Sequence, residues 1–274
     1  MSINKNWTGE RLETNVFTET SIEHLHRYAL AMELVAGKKV LDIACGEGYG
    51  SNLLSKIAGH VTGVDIDADV INNAKEKYLS KSLQFLTGSV DNIPAADDQF
   101  DTVVSFETLE HTGDHEKMAS EIKRVLKPEG LLIISTPDKK NYSDKTGYKN
   151  PFHMKELYPE EFSGLLHRYF KNVQVLSQQI TISSVITAND ATGFKMYTGD
   201  YSNIQTDNTE NRLYCIALAS DTMLPSINNS LFNGRSVFAE AVSEKEKMVT
   251  NTLTYKLGHM ILYPAKLLRK LFKK

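Results

Sequence analysis

The sequence predicts an α/β protein: one mostly parallel sheet of seven strands, helices on both faces, and an antiparallel last strand. Three observations lead there. Five short runs bounded by turn residues are apolar nearly throughout (39–44, 60–65, 83–87, 102–106 and 131–136), as strands covered on both faces are. Segments of helical periodicity separate most of them, and that alternation builds parallel sheets. Two further strands, 173–178 and 213–219, have no crossover helix between them, so they pair antiparallel at one edge.

The elements follow in order. After a polar lead-in over residues 1–20, a helix is expected over Ser21–Val35, with Ser21 as its N-cap and Gly37 just past its end. Further helices are expected over Gly50–Ala58, Ala68–Leu79, Glu116–Leu126 and Pro159–His167. The fourth of these five stops before Pro128 and Gly130. The link from Ile180 to Arg212 is long and polar, the kind of insertion that serves as a lid or binding loop. The chain divides into an N-terminal cap segment (1–36), a main domain (37–222, with the 180–212 insertion) and a linker with a C-terminal tail (223–274).

At 274 residues and 41% hydrophobic, the chain can build one large domain with an appendage. Its formal charge of −3 hides an asymmetry. From Asn251 onward there are six basic residues and no acid, which leaves −9 on the rest, so the main body is not expected to bind nucleic acid. Cys45 and Cys215 lie far apart in apolar stretches and are expected as buried thiols in a reducing compartment. The N-terminus lacks the apolar centre of a signal peptide, and no apolar run reaches the about 20 residues that span a bilayer. A cytoplasmic location is expected, with peripheral contact at the inner membrane face left open.

The strongest local signal is VLDIACGEGYG, residues 40–50. A buried strand runs into Gly46, Gly48 and Gly50 and then into a helix, leaving bare backbone against which a ligand can press. Nicotinamide and flavin enzymes use such a turn too. Here, however, the spacing is G-x-G-x-G and an acid, Asp42, stands inside the strand. Asp65 ends the second strand, where a carboxylate can accept both hydroxyls of a ribose; a helix N-cap is its plain alternative. Asp91, in the turn Gly88–Asp91, is placed to accept from an adenine amine, or is a turn aspartate only.

The segments VLDIACGEGYG, VDID, GSVDNIP, FDTVVSFETLEH and RVLKPEGLLIISTP, in that order and spacing, resemble the successive motifs of class I methyltransferases over about residues 20–220. The resemblance implies a Rossmann-like fold and S-adenosylmethionine as cofactor. It implies methionine-carboxylate contacts from the Gly46–Gly50 loop, Gly46 and Gly48 in particular, ribose contacts from Asp65, adenine contacts around Val90 and Asp91, and Asp42 near the ligand's amino group. Ile66, Ser89 and Phe106, beside these positions, complete the candidate cofactor set. A narrower likeness, EHLHRY (23–28) followed by NPFH (150–153) and KELYPEEF (155–162), is to methyltransferases encoded with bacterial polysaccharide genes. It implies a sugar or terminal phosphate of a surface glycan, or its nucleotide- or lipid-linked precursor, as acceptor. It also implies Tyr28, with Arg27, over the ligand.

Transfer to a hydroxyl requires alignment and removal of a proton. Glu107, His111 and His153 follow strand ends and are the candidate catalytic residues, with Tyr142 as an acceptor contact. Of His24 and His26, one is expected in the pocket and one to be structural. Glu107-x-x-Glu110-His111 resembles a cation-holding motif of ubiquinone-pathway O-methyltransferases, so a metal-assisted enzyme of a quinone-like molecule is the alternative; a metal is not the favoured expectation. A nicotinamide oxidoreductase and a non-catalytic nucleoside-binding module are the remaining readings.

In the tail, Leu253, Leu257, Met260, Leu267 and Leu271 repeat at helical spacing with lysines and Arg269 on other faces. That pattern suits an anionic membrane surface over residues 252–274; packing on the body or in an oligomer is the alternative. Pro264 is expected to break the tail into two short helices.

Overall fold

The computed structural model describes residues 19–271 except 182, 187–193 and 208–211, with side chains described from Thr20 to Leu262. The lead-in over 1–18, parts of the 180–212 link and the end of the tail therefore lie outside the described residues.

Seven strands form one sheet: β1 (Lys39–Ile43), β2 (His60–Asp65), β3 (Leu83–Thr87), β4 (Phe100–Phe106), β5 (Leu126–Pro137), β6 (Asn172–Gln178) and, last, β9 (Tyr214–Ser220), in the spatial order β3-β2-β1-β4-β5-β9-β6. All pairings are parallel except those of β9, which runs antiparallel to both β5 and β6. The strand order reverses direction between β1 and β4, so a crevice opens beyond their carboxyl ends.

Along the central strands successive side chains alternate between two cores. Val40, Val61, Val104 and Ile133 join one core with Tyr28, Ala31, Leu54 and Ile71. These belong to α1 (Glu19–Leu34), α2 (Tyr49–Leu54) and α3 (Ala68–Lys77). Leu41, Val103 and Leu132 face the other core with Met118, Ile122, Phe162 and Leu165, from α4 (His115–Val125) and α5 (Pro159–His167). Both faces are covered, which is why these strands read as apolar runs. Cys45 and Cys215 are buried free thiols, and burial pushes the Cys215 thiol up to about 12.

Several expectations are corrected. Ser21 lies inside α1, not at its cap. Strand β5 begins directly after α4 and passes through Pro128 and Gly130, because a register shift opposite Phe100–Thr102 takes up the extra residues. The polar link holds a small hairpin, β7 (Tyr197–Gly199) with β8 (Ile204–Thr206), turned by Asp200, whose Oδ1 accepts from the backbone of Ser202 and Asn203.

The tail forms α6 (Arg235–Asn251) and α7 (Leu253–Leu271). The break falls at Thr252, whose Oγ1 accepts from Tyr255 N–H at 3.2 Å and caps α7, and α7 runs on through Pro264. Val237 of α6 is buried, and Gly234 packs against Ile22 of α1. Beyond it Leu253, Tyr255, Leu257, Met260, Ile261 and Leu262 are exposed. No helix among the described residues is long and apolar enough to cross a membrane.

Candidate active site

The crevice, of about 1200 Å³, runs from the turn after β1 to the loops after β4 and β5. At its floor, Ala44 and Glu107, the residues that follow β1 and β4, both take positive φ (61° and 49°). For residues with a side chain this is strained backbone of the kind that collects at functional sites. Gly46 and Gly48 also lie in the left-handed region.

One end of the crevice is lined by Gly46, Asp65, Ile66, Ser89, Val90, Asp91 and Phe106. Asp65 Oδ2 accepts from Gly46 N–H (2.9 Å) and Oδ1 from Asp67 N–H (3.0 Å). The carboxylate is thus held rigidly by backbone N–H groups. It is not the helix cap: that role belongs to Asp67, whose Oδ1 accepts from Asp69 and Val70 N–H at the start of α3. Asp91 Oδ1 is buried and has no hydrogen-bond partner among the described residues, an arrangement that costs free energy unless a ligand donates to it. Ile66 is 72% exposed, an apolar face turned to the opening.

Two expected contacts stand elsewhere. Gly48 does not line the crevice; a Cβ there would lie 2.6 Å from the Phe85 ring, so its smallness serves the packing of α2. Asp42 is buried behind the wall, where Ser51 Oγ (2.6 Å) and Tyr28 Oη (3.3 Å) donate to it. Burial pushes its pKa up to about 7 against these hydrogen bonds, which lower it. The reason is geometric: Asp42 lies within β1, two residues short of the turn. Tyr28 itself lines the crevice, edge-on to Phe106 (5.1 Å between centroids) and to Tyr49 (5.5 Å).

From α1 come two histidines with different fates. His24 lines the crevice against Tyr49 Oη (2.9 Å); burial, aided by the charge of Arg27, drives its pKa down to about 3. His26 faces away, toward Ser230. Arg27 is fully buried: Nε donates to Gln178 (2.7 Å), the guanidinium stacks 4.4 Å over Tyr214, and Nη1 lies 3.5 Å from Glu107 Oε1. It reaches the site through Glu107 and does not line the crevice itself.

Toward the other end stand Glu107, Glu110, His111, Tyr142, His153 and Tyr214. Ser135 Oγ donates to Glu107 (2.6 Å) and Thr136 Oγ1 to Glu110 (3.1 Å). Burial, and the neighbouring Glu107, hold the Glu110 pKa well above the usual carboxylate range. His111 Nδ1–H donates to the Phe152 carbonyl (3.0 Å), and His153 Nδ1–H donates to Glu156 (2.5 Å) while its Nε2 accepts from Asn150 Nδ2 (3.0 Å). The two imidazoles meet edge to face at 5.0 Å, and Tyr142 stacks on His153. The contiguous Glu107, Glu110, His111 set is not what converges: among the described residues, the three groups whose ligand atoms come together are Glu110, His111 and His153. Tyr49 and Tyr214 were not anticipated. Tyr214 opens an antiparallel strand, which brings that strand's first residue to the carboxyl edge of the parallel ones.

Residues 41–134 match the family model for a methyltransferase domain. A Mycolicibacterium smegmatis protein described as a probable S-adenosylmethionine-dependent methyltransferase is 33% identical over 162 residues, 58% of this chain and 62% of its own length. A fatty-acid O-methyltransferase of the same organism is 29% identical over 125 residues, 45% of each chain. The chain thus spans less than two thirds of the curated relatives it matches. Among solved structures, a chain of the complex between the Haloferax volcanii Trm112 methyltransferase activator and its methyltransferase superposes with a TM-score of 0.54. That match has 21% identity and covers 75% of this chain and 91% of the other. The sheet is that of a Rossmann-like methyltransferase fold, with one antiparallel strand and C-terminal helices.

Proposed function

We propose, on the premise of the methyltransferase domain over residues 41–134, that the chain is an S-adenosylmethionine-dependent O-methyltransferase. Its acceptor is a sugar hydroxyl of a surface glycan or of its lipid- or nucleotide-linked precursor. The observation that carries the cofactor reading is the buried, partnerless Asp91 Oδ1 on the same crevice wall as the Asp65 carboxylate. An adenine amine would satisfy the first and ribose hydroxyls the second. Gly46 leaves backbone exposed to the methionine portion, and Tyr28 closes over it.

The cofactor brings a methyl group on positive sulfur. Attack by an acceptor oxygen on that carbon would release a neutral thioether, and the hydroxyl proton would have to be taken up by a base at the acceptor end. His111 and His153 are the imidazoles at that end; Glu156 fixes the His153 tautomer, and the Nε2 that would take the proton is held by the Asn150 amide until the acceptor displaces it. Tyr142, Tyr148 and Asn150 on the same rim supply the aromatic faces and amide that suit a pyranose. The tail supports a lipid-linked substrate, because its exposed apolar residues and basic charge fit an anionic membrane surface.

Calorimetry with S-adenosylhomocysteine and NADH tests the cofactor: binding of the first alone is expected, and NADH binding would replace this reading with an oxidoreductase. Labelled methyl transfer to a panel of nucleotide sugars, lipid-linked sugars, fatty acids and hydroquinones tests the acceptor; labelling confined to the last two classes would overturn the sugar reading. Equal liposome pelleting of the full chain and one ending at Thr250 would remove the membrane contact.

A further inference from the structure

We propose that Glu110, His111 and His153 form a binding site for a first-row divalent cation at the acceptor end of the crevice. Their ligand atoms lie within 4.8 Å of one another, close to the separation of about 4.2 Å at most that two ligands each about 2.1 Å from one ion allow. The outer contacts point the same way. His111 gives its Nδ1–H to the Phe152 carbonyl and His153 gives its Nδ1–H to Glu156, so each Nε2 carries the lone pair that a metal takes. An imidazole oriented by a carbonyl or a carboxylate in this way is the arrangement found behind metal ligands.

His111 Nε2 faces Glu110 Oε1 at 3.8 Å, while Thr136 holds the other oxygen of Glu110. The Asn150 amide that caps His153 Nε2 gives way when the ion binds. Backbone bonds from Met154 and Lys155 N–H to the Glu110 carbonyl (2.8 and 3.2 Å) lock the two contributing loops together. The ligand spacing is therefore set by backbone as well as side chains.

Two imidazoles and one carboxylate suit Mn²⁺, Co²⁺ or Zn²⁺ better than Mg²⁺ or Ca²⁺, which prefer oxygen. Three protein ligands leave coordination positions open to the crevice, where an acceptor hydroxyl bound to the ion becomes more acidic. That consequence rests on the methyl-transfer reading; the binding of the ion does not. Glu107 is outside the set because Ser135 and Arg27 already engage its carboxylate.

The test is calorimetric titration of the full chain with MnCl₂, CoCl₂, ZnCl₂ and MgCl₂, with Co²⁺ followed also by visible absorption. S-adenosylhomocysteine binding is measured on the same samples. Co²⁺ and Zn²⁺ should bind at a single site, more tightly than Mg²⁺. His111→Ala and His153→Ala should each lose about tenfold or more in affinity, and Glu156→Gln about tenfold, while Glu107→Gln keeps it. Absence of cation binding, its survival in both histidine variants, or its loss in Glu107→Gln but not His153→Ala would overturn the site. Retained S-adenosylhomocysteine binding shows each variant folded. Nucleoside binding without cation sinks the cation site alone, and cation binding without nucleoside sinks the methyl-transfer reading alone.

Discussion

At the Asp65 end of the crevice, the polar groups sit within a few residues of a strand end and are held by backbone N–H groups: Gly46 and Asp67 donate to Asp65, and Asp91 N–H donates to Ser89. At the His153 end the groups come from separate segments, the turn after β4, strand β5, the 150–156 loop and the start of β9, and side chains hold one another through Ser135, Thr136, Asn150 and Glu156. The first arrangement is a local consequence of strand and turn. The second exists only after the sheet has assembled.

The largest effect that would sharpen this contrast is kinetic. His153→Ala and His111→Ala should each lower turnover about 10²–10⁴-fold while S-adenosylhomocysteine affinity stays as it was. An equal loss in both quantities would mean that the two ends are not independent. Next, Asp65→Ala should weaken nucleoside binding by about 1–3 kcal/mol, because the ligand's hydroxyls lose their acceptor; calorimetry showing unchanged affinity would break the ribose assignment. Gly48→Ala should destabilise the fold by about 1–3 kcal/mol in urea unfolding, since its Cβ would strike the Phe85 ring at positive φ. A wild-type midpoint would show that the turn relaxes freely.

A pH-dependent effect belongs to Asp42. Its folded pKa of about 7 stands above the ordinary carboxylate value, so the native state binds the proton more tightly than the unfolded chain. The stability this confers is complete below about pH 4 and is lost as pH rises toward 7, with a slope of at most about 1.4 kcal/mol per unit. Asp42→Asn should flatten that part of the profile of unfolding free energy against pH. An unaltered slope would mean that Asp42 is ionised throughout.

The fold and the residues gathered at the Asp65 end of the crevice were legible in the sequence because both rest on short-range facts. Apolar runs such as VVSF and LLIIST mark strands buried on two faces, and the acid at position 65 closes one of them. What could not be read was depth and distance. Asp42 and Gly48 belong to the same motif as Gly46, yet only the packed structure turns them away from the crevice, toward Tyr28 and Phe85. His153 joins His111 because β5 delivers its following loop beside the turn after β4, and Tyr214 arrives because β9 runs backward. Chain spacing records which residues are neighbours along a strand; convergence of side chains from separate loops is set by sheet order and by the backbone bonds between those loops, which no local pattern encodes.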